Sequence, residues 1–177
     1  MKPIQSVNNS SSGGFTVTEM LIVVVIVGAL AAITVPNWLK FLAKYRVETA
    51  QSALREGIQQ AQRKSQQESI SWQFSVRENV GKVEMTVHPA TSPASLSTWE
   101  SMNSSVKLDG ETNLAKSGNV YYVQFNEKGN VHYRLGRVTV SSKQFPDIKR
   151  CVIVSTLIGA TRTAQEQAVP EDGKLCY

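Results

Sequence analysis

The sequence predicts an α+β protein in which one long N-terminal helix packs on an antiparallel β-sheet head. Three observations indicate this fold. An almost uninterrupted apolar run follows a short polar leader, apolar residues then recur every three or four positions, and the period changes to two after residue 70. The chain has 177 residues, of which 41% are hydrophobic. It can therefore bury one modest core, so we expect one globular domain with an appendage.

Residues 15–39 are predicted to form a membrane-spanning helix. The stretch MLIVVVIVGALAAI has no polar side chain, and Glu19 is the one charged residue within 15–39. About 25 residues of this kind are enough to cross a bilayer. A buried helix of a soluble domain would show a polar face, and a secretory signal peptide would place its cleavage site after the apolar run. Here the leader MKPIQSVNNSSSGG comes first, so cleavage behind Gly14 would leave the helix on the mature chain.

The segment GGFTVTEMLIVVVIVGALAAITVP resembles the processing site and anchor helix of type IV pilins and pseudopilins. The resemblance implies that a prepilin peptidase, which is also an N-methyltransferase, cuts between Gly14 and Phe15 and methylates the new amino group. Counted from Phe15, Glu19 is the fifth residue and Pro36 the twenty-second, where this family places those residue types. The implied partners are that enzyme, other pilin or pseudopilin subunits, and membrane lipid before assembly.

The chemistry of Glu19 and Pro36 supports roles in assembly. A carboxylate in an apolar membrane helix costs about 2.5 to 3.5 kcal/mol, so it is functional by default and needs a partner. The new α-amino group of Phe15, on the same or a neighbouring subunit, is the candidate, and snorkelling to the lipid headgroups is the alternative. Pro36 removes one backbone donor and crowds the preceding turn, so we expect a kink or a local opening of the helix there.

One charge pattern points the other way. Lys40, Lys44 and Arg46 follow the apolar run, whereas Lys2 alone precedes it. The positive-inside rule would keep the first group in the cytoplasm. We give the processing site more weight. The expected location is a single pass through the inner membrane with the head on the outer, periplasmic side, followed by assembly into a cell-envelope or surface filament.

The domain plan that follows has four parts: a leader (1–14), a transmembrane and assembly helix (15–39), an amphipathic helix (40–66) and a β-sheet head (67–177). The amphipathic helix rests on an apolar stripe with steps of three or four residues. Its members are Ala43, Val47, Ala50, Leu54, Ile58 and Ala61. A small sheet could cover this stripe.

The head is predicted to consist of antiparallel strands. Alternation and turn residues place strands at 70–76, 83–87, 120–125, 131–135, from 138 onward, and at 151–158. The segment 89–118 is polar and weak in pattern, so we expect a surface excursion with one short strand. Gly129 stands in the turn between two predicted strands and can supply positive φ.

The second half of the chain resembles H-type pseudopilins and FimT-like minor pilins, through the segments FNEKG and VIVSTLIGATRT. Many relatives that handle DNA have a doubled arginine, whereas this chain has the single Arg162. DNA is therefore the less favoured partner. A net charge of +5 is also small, and is more typical of an ordinary solvated surface than of nucleic-acid binding.

Cys151 and Cys176 stand outside any C-x-x-C or other metal-ligand spacing. In an exported head they could form a disulfide worth roughly 3 to 4 kcal/mol in the chain-entropy model, and two unrelated thiols are the alternative. The bond would pin the polar tail and expose residues 159–175 as a recognition loop. The charge of that loop is poor for phosphate binding and is better suited to contact with another subunit or simply to capping the sheet.

No enzyme chemistry is indicated by the sequence, which implies no catalytic residues, no cofactor and no metal. His88 and His132 fall at polar positions of predicted strands, so we expect both to be solvated. Five aromatic residues have the period-2 placement of a core face rather than of a nucleic-acid platform: Trp72, Phe74, Tyr121, Phe125 and Tyr133. The leading hypothesis is a structural minor pilin or pseudopilin. The alternative is a filament-borne binding module for DNA uptake or surface adhesion.

Overall fold

The computed structural model describes residues 14–171 and 173–177, and for Thr34 it describes the backbone alone. The predicted leader up to Gly13, with Lys2, lies outside the described residues, as does Asp172 of the predicted loop. Within the described part, one long α-helix precedes two five-stranded antiparallel sheets. The predicted α+β class is therefore confirmed.

The helix α1 covers Val17–Glu68, and a short 3-10 helix covers Ala94–Leu96. The strands are β1 (Trp72–Asn79), β2 (Lys82–Pro89), β3 (Glu100–Ser101), β4 (Val106–Leu108), β5 (Ala115–Ser117), β6 (Val120–Phe125), β7 (Gly136–Ser142), β8 (Lys149–Val154), β9 (Thr161–Glu171) and β10 (Lys174–Cys176). The first sheet has the order β3-β2-β1-β6-β5, and the second has the order β10-β9-β8-β7-β4.

Two compact units divide the chain between Leu39 and Lys40, inside α1. In the first unit, every described side chain from Phe15 onward is exposed. Among the described residues, α1 is the one helix that is long and apolar enough to cross a membrane, judged by length and composition alone.

In the second unit, the predicted stripe of α1 is buried, from Ala43 to Ala61. It shares one core with the inward residues of both sheets, such as Phe74 and Val123 of the first and Val138 of the second. The predicted hairpin is also confirmed, because β1 pairs with β2 in register from Trp72 opposite Pro89 to Asn79 opposite Lys82. The period-2 pattern therefore identified the face that meets the helix.

The strand predicted at 131–135 was wrong. Val131 alone forms a bridge, to Phe125, and its N–H then donates to the carbonyl oxygen of Leu157 at 2.7 Å. The edge of β6 that this strand needed is occupied by β5, which pairs with it from Ala115 opposite Tyr122 to Ser117 opposite Val120. Tyr133 is consequently 60% exposed and does not belong to the core.

Three other expectations about the late chain and the excursion need correction. The segment 89–118 contains three short strands rather than one. The strand predicted at 151–158 ends at Val154, because the chain turns at Ser155, whose N–H donates to Ala160 O at 2.9 Å. The expected recognition loop, 159–175, is mostly strand: β9 pairs with β8, from Arg150 opposite Gln165 to Val154 opposite Thr161.

Candidate processing and assembly site

The bond between Gly14 and Phe15 lies in an open segment just before α1. Residues 14–16 have no regular secondary structure and are exposed, with Phe15 at 76%. Apart from Gly14 and its chain neighbours, no atom of the described residues lies within 4 Å of the place that a Cβ on Gly14 would take. Proteins that cut a backbone need it extended and unobstructed, and nothing in the described part of the chain blocks this segment.

Thr16 and Glu19 together begin α1. Thr16 Oγ1 accepts a hydrogen bond from the Glu19 N–H at 3.2 Å, and Thr16 O accepts one from the Met20 N–H at 3.1 Å. This is the N-cap half of a capping box, whose T-x-x-E spacing was visible in the sequence but was missed in our sequence reasoning. Glu19 lies in the first turn, where the helix dipole favours a negative charge by about 0.3 to 1 kcal/mol. Its carboxylate therefore has a local role at the helix start as well as any role between subunits.

The rest of the N-terminal unit presents apolar side chains on every side of the helix. Residues on this surface include Val17, Leu21, Ile22, Val25, Ile26 and Ile33, each more than half exposed. A soluble domain rarely exposes a continuous apolar surface of this extent, which is typical of contact with lipid or with other protein chains.

Pro36 lies inside α1, which continues through it without a break. Because proline has no N–H, the carbonyl of Ala32 cannot receive the usual helix hydrogen bond from it. In the same turn, the side-chain Nδ2 of Asn37 donates to the Ile33 carbonyl oxygen at 3.3 Å. The Asn37 side chain thus donates to a backbone carbonyl in the turn where Pro36 removes one backbone hydrogen bond of the helix. The kink expected at Pro36 stays a prediction.

Glutamine side chains of α1 fasten the helix to the head, a role that our sequence reasoning missed. Gln51 Nε2 donates to the carbonyl oxygens of Cys151 and Ala164 at 2.7 and 2.8 Å. The other contacts of this kind join Gln59 to Thr161, Gln62 to Gly129 and Ile158, and Gln66 to Lys128. These glutamines share one side of the helix. Their spacing was a visible signal, but a glutamine-rich helix surface is equally typical of a solvated face.

Two glycines allow the loops of the head to approach these glutamines. Gly129 and Gly159 have φ of 79° and 82°, which favours glycine. A Cβ on Gly129 would stand 2.3 Å from Gln66 Nε2, and one on Gly159 would stand 2.4 Å from Gln62 Nε2. The positive φ predicted at Gly129 is confirmed, and its consequence is close contact between loop and helix.

The C-terminal strand is held by three kinds of bond. Cys151 and Cys176 form a disulfide with their Cα atoms 6.1 Å apart, as predicted. The carboxylate of Glu111 accepts hydrogen bonds from the N–H groups of Leu175 and Cys176 at 3.2 and 3.1 Å. The Arg137 guanidinium donates to the carbonyl oxygen of Cys176. The tail is therefore integrated into the head rather than presented as a free loop.

Glu111 also belongs to an ion cluster with Lys149 and Asp109. The Nζ atom of Lys149 lies 2.9 Å from Glu111 Oε1 and 3.1 Å from Asp109 Oδ1. Burial would raise the pKa of Glu111, but the hydrogen bonds from Lys149 and from the Cys176 and Leu175 amides outweigh burial, and this pKa is lowered. Burial would likewise lower the pKa of Lys149, but its hydrogen bonds with Glu111 and Asp109 raise it. Both groups are therefore held in their charged forms.

The two histidines differ, and the expectation that both are solvated was wrong for one. His132 is exposed, whereas His88 is only 4% exposed. His88 hydrogen-bonds with Ser75 and with the carbonyl oxygen of Pro89, and it lines a cavity together with residues of the segment 90–94 that follows β2, so this polar strand position is buried. Among the described residues, no group of three or more His, Cys, Asp or Glu side chains is placed to hold a metal ion.

Comparison with known proteins gives one partial likeness. A stretch of 47 residues is 45% identical to the type IV major pilin protein PilA of Myxococcus xanthus. The match covers 27% of this chain and about a fifth, 21%, of the length of that protein. No family model matches the chain, and no solved structure matches it significantly. The likeness supports the resemblance to type IV pilins in general, while the closer resemblance to H-type pseudopilins and FimT-like minor pilins stays a prediction.

Proposed function

We propose that this chain is a structural, non-enzymatic filament subunit of the type IV pilin class, used as a minor pilin or pseudopilin. It is cut between Gly14 and Phe15 by a prepilin peptidase, stays in the inner membrane through residues 15–39, and then assembles with other subunits. The observation that carries the proposal is an exposed apolar helix segment that begins two residues after Phe15, at Val17, has Glu19 in its first turn, and continues within α1 into the part of the helix that packs on the β-sheet head. The partial likeness to a major pilin supports it.

Glu19 would act on the amine that cleavage creates. The protonated amine of Phe15 would stand at the positive end of the α1 dipole, where a cation is unfavourable. In the apolar surroundings of packed helices, such an uncompensated charge is costly. The Glu19 carboxylate supplies the opposite charge four residues along the chain, in the first turn of α1. Between staggered helices it can neutralise the amine of the neighbouring subunit. That pairing would set the register between subunits.

Processing is tested by Gly14→Ala. The variant should insert into the membrane but keep its leader, because the peptidase requires unobstructed backbone at the cut and the apolar helix is unchanged. Gly28→Ala is the matched control, since at both positions the described residues beyond the local backbone have no atom within 4 Å of the added Cβ. Mass spectrometry of the purified chains identifies the first residue. A wild-type chain that still begins at Met1 in cells containing the peptidase would contradict the proposal.

Assembly is tested by Glu19→Gln, which removes the charge and keeps the side-chain size. We expect normal cleavage but a loss of at least about tenfold in the subunit recovered from sheared filaments, since ~1.4 kcal/mol is enough for such a change. Glu68→Gln, an exposed substitution at the other end of α1, is the control and should assemble normally. Normal recovery of Glu19→Gln would indicate that this carboxylate only snorkels.

A further inference from the structure

We propose that the head carries a binding cavity for a neutral saccharide on the outer side of its first sheet. The cavity has a volume of about 380 Å³. Small-molecule sites typically start at about 300 Å³. It lies between strands β1, β2 and β6 and the segment 90–94. Its wall includes Gln73, His88, Ser92, Tyr122, Gln124 and Tyr133.

Strand register brings the polar wall together. Gln73 of β1 stands directly opposite His88 of β2 on one side and Gln124 of β6 on the other. Directly paired residues of antiparallel strands share one face of the sheet. Phe74, the neighbour of Gln73, points into the core that contains α1. The amides and the imidazole therefore lie on the opposite face, where the helix does not cover them.

A chain of hydrogen bonds fixes the floor of the cavity. His88 Nδ1 lies 2.9 Å from the carbonyl oxygen of Pro89, which can only accept, so Nδ1 carries the hydrogen. In the neutral ring, Nε2 then accepts from the Ser75 hydroxyl at 3.0 Å, and Gln73 Nε2 donates to Ser75 Oγ at 2.9 Å. This hydrogen bond uses one amide N–H of Gln73 and fixes the orientation of the Gln73 side chain. The side chains of Gln73 and His88 are thus held in place before any ligand arrives.

Two tyrosines form an aromatic corner at the rim. The rings of Tyr122 and Tyr133 are perpendicular, at 89°, with their centroids 6.2 Å apart. The ring of His132 packs edge-on against Tyr133 at 4.5 Å. Tyr133 is nevertheless 60% exposed. A tyrosine offers a rigid apolar face and a hydroxyl at low entropic cost, which suits it to ligand contact.

The chemistry of the wall selects the ligand class. None of the described residues that line the cavity is Asp, Glu, Lys or Arg. Phosphates and nucleic acids are bound mainly through cationic side chains, which this wall lacks. Amides and hydroxyls are donors and acceptors at once, as the hydroxyl groups of a sugar require. The tyrosine faces can pack on the C–H face of a pyranose ring. A neutral saccharide therefore matches both the polar side chains and the aromatic side chains of the wall.

The experiment uses the full-length chain, purified in a zwitterionic detergent because a sugar-based detergent would compete. The probes are an array of neutral hexoses, N-acetylhexosamines and their disaccharides, followed by titration of the best one. Tyr133→Ala and Gln124→Ala should each raise Kd by at least about tenfold, equivalent to ~1.4 kcal/mol. Tyr45→Ala is the matched control, because Tyr45 is 61% exposed and lies outside the cavity wall. It should bind as the wild type does.

Each outcome decides the proposal. Binding of a neutral saccharide that both cavity variants weaken and Tyr45→Ala preserves supports it, provided that thermal midpoints are unchanged. It is overturned if no probe binds the wild type, or if the variants bind equally well. Preference for sulfated saccharides or single-stranded DNA, lost at high salt, would also overturn it. The assay needs neither cleavage nor filaments, so its failure is separate from failure of the assembly proposal.

Discussion

Breaking the disulfide between Cys151 and Cys176 should lower the stability of the head strongly. The two residues are 25 positions apart in the chain. In the chain-entropy model, a loop of that length corresponds to about 3.5 kcal/mol at 25 °C. A change of 1 kcal/mol moves the melting midpoint of a domain of this size by roughly 3 °C. We therefore expect the midpoint to fall by about 10 °C.

The assay uses the second unit, residues 40–177, which forms its own compact body. Thermal unfolding is followed by circular dichroism with and without reductant. The double variant Cys151→Ala/Cys176→Ala is the control, since it should melt at the reduced midpoint and show no response to reductant. The wild-type head should also migrate faster on gels without reductant, because a closed loop makes the denatured chain more compact.

Two results would refute this reasoning. Alkylation of both cysteines without reductant would remove the disulfide itself. A midpoint change below about 2 °C would mean that the crosslink adds little, because about 3.5 kcal/mol cannot produce so small a shift. In that case, the contacts of Glu111 and Arg137 with the last strand would hold the tail in place on their own.

Two further predictions concern the stability of the head. Glu111→Gln should lower the free energy of unfolding by about 2 kcal/mol at pH 7, since hydrogen bonds to a charged group are lost. Because the pKa of Glu111 is lowered in the folded head, the carboxylate stabilises the head above about pH 4 and no longer does so below. The difference in stability between variant and wild type should therefore disappear on acidification, as measured by thermal melts at a series of pH values. Gly57→Ala should lower stability in urea unfolding by about 1 kcal/mol net, because overpacking outweighs the gain in helix propensity. Its Cβ would stand 2.7 Å from the buried Phe74 ring. The exposed helix substitution Ser52→Ala should leave stability unchanged or raised.

The sequence predicts those parts of the fold in which the spacing of apolar residues within a single helix or strand shows which side is buried. The stripe of α1 and the alternation in β1 and β2 each report which side of the element is buried. The pairing of β1 with β2 is also local, since a tight turn at Gly81 joins them. The candidate assembly residues belong to the same category: Gly14, Phe15 and Glu19 stand in one short segment, so their spacing alone suggested a joint role.

Competition for sheet edges could not be inferred from the same patterns. The segment 131–135 has an apolar alternation suited to a strand, but β5 occupies the edge of β6. The sequence of β5 itself shows almost no apolar alternation. The tail shows the converse, because β9 is polar and weakly patterned yet pairs along β8. Its partner strand, the disulfide and the Glu111 carboxylate position it. In both cases, strand formation is decided by which segment pairs with a sheet edge, rather than by the propensity of the segment itself.

His88 shows how this limit affects the search for function. Period-2 alternation tells which positions oppose the core, but solvation of those positions depends on what returns over them. Here the segment after β2 folds back, and Trp99 packs under Arg77 at 4.0 Å while its Nε1 donates to Ala94 O at 3.0 Å. A polar strand face covered by such a segment must satisfy its own hydrogen bonds, which is why Gln73, Ser75 and His88 form a chain. Each of these polar residues alone is typical of a solvated surface. When such strand positions stand next to a long connecting segment without a clear apolar pattern, however, they are candidates for a cavity wall.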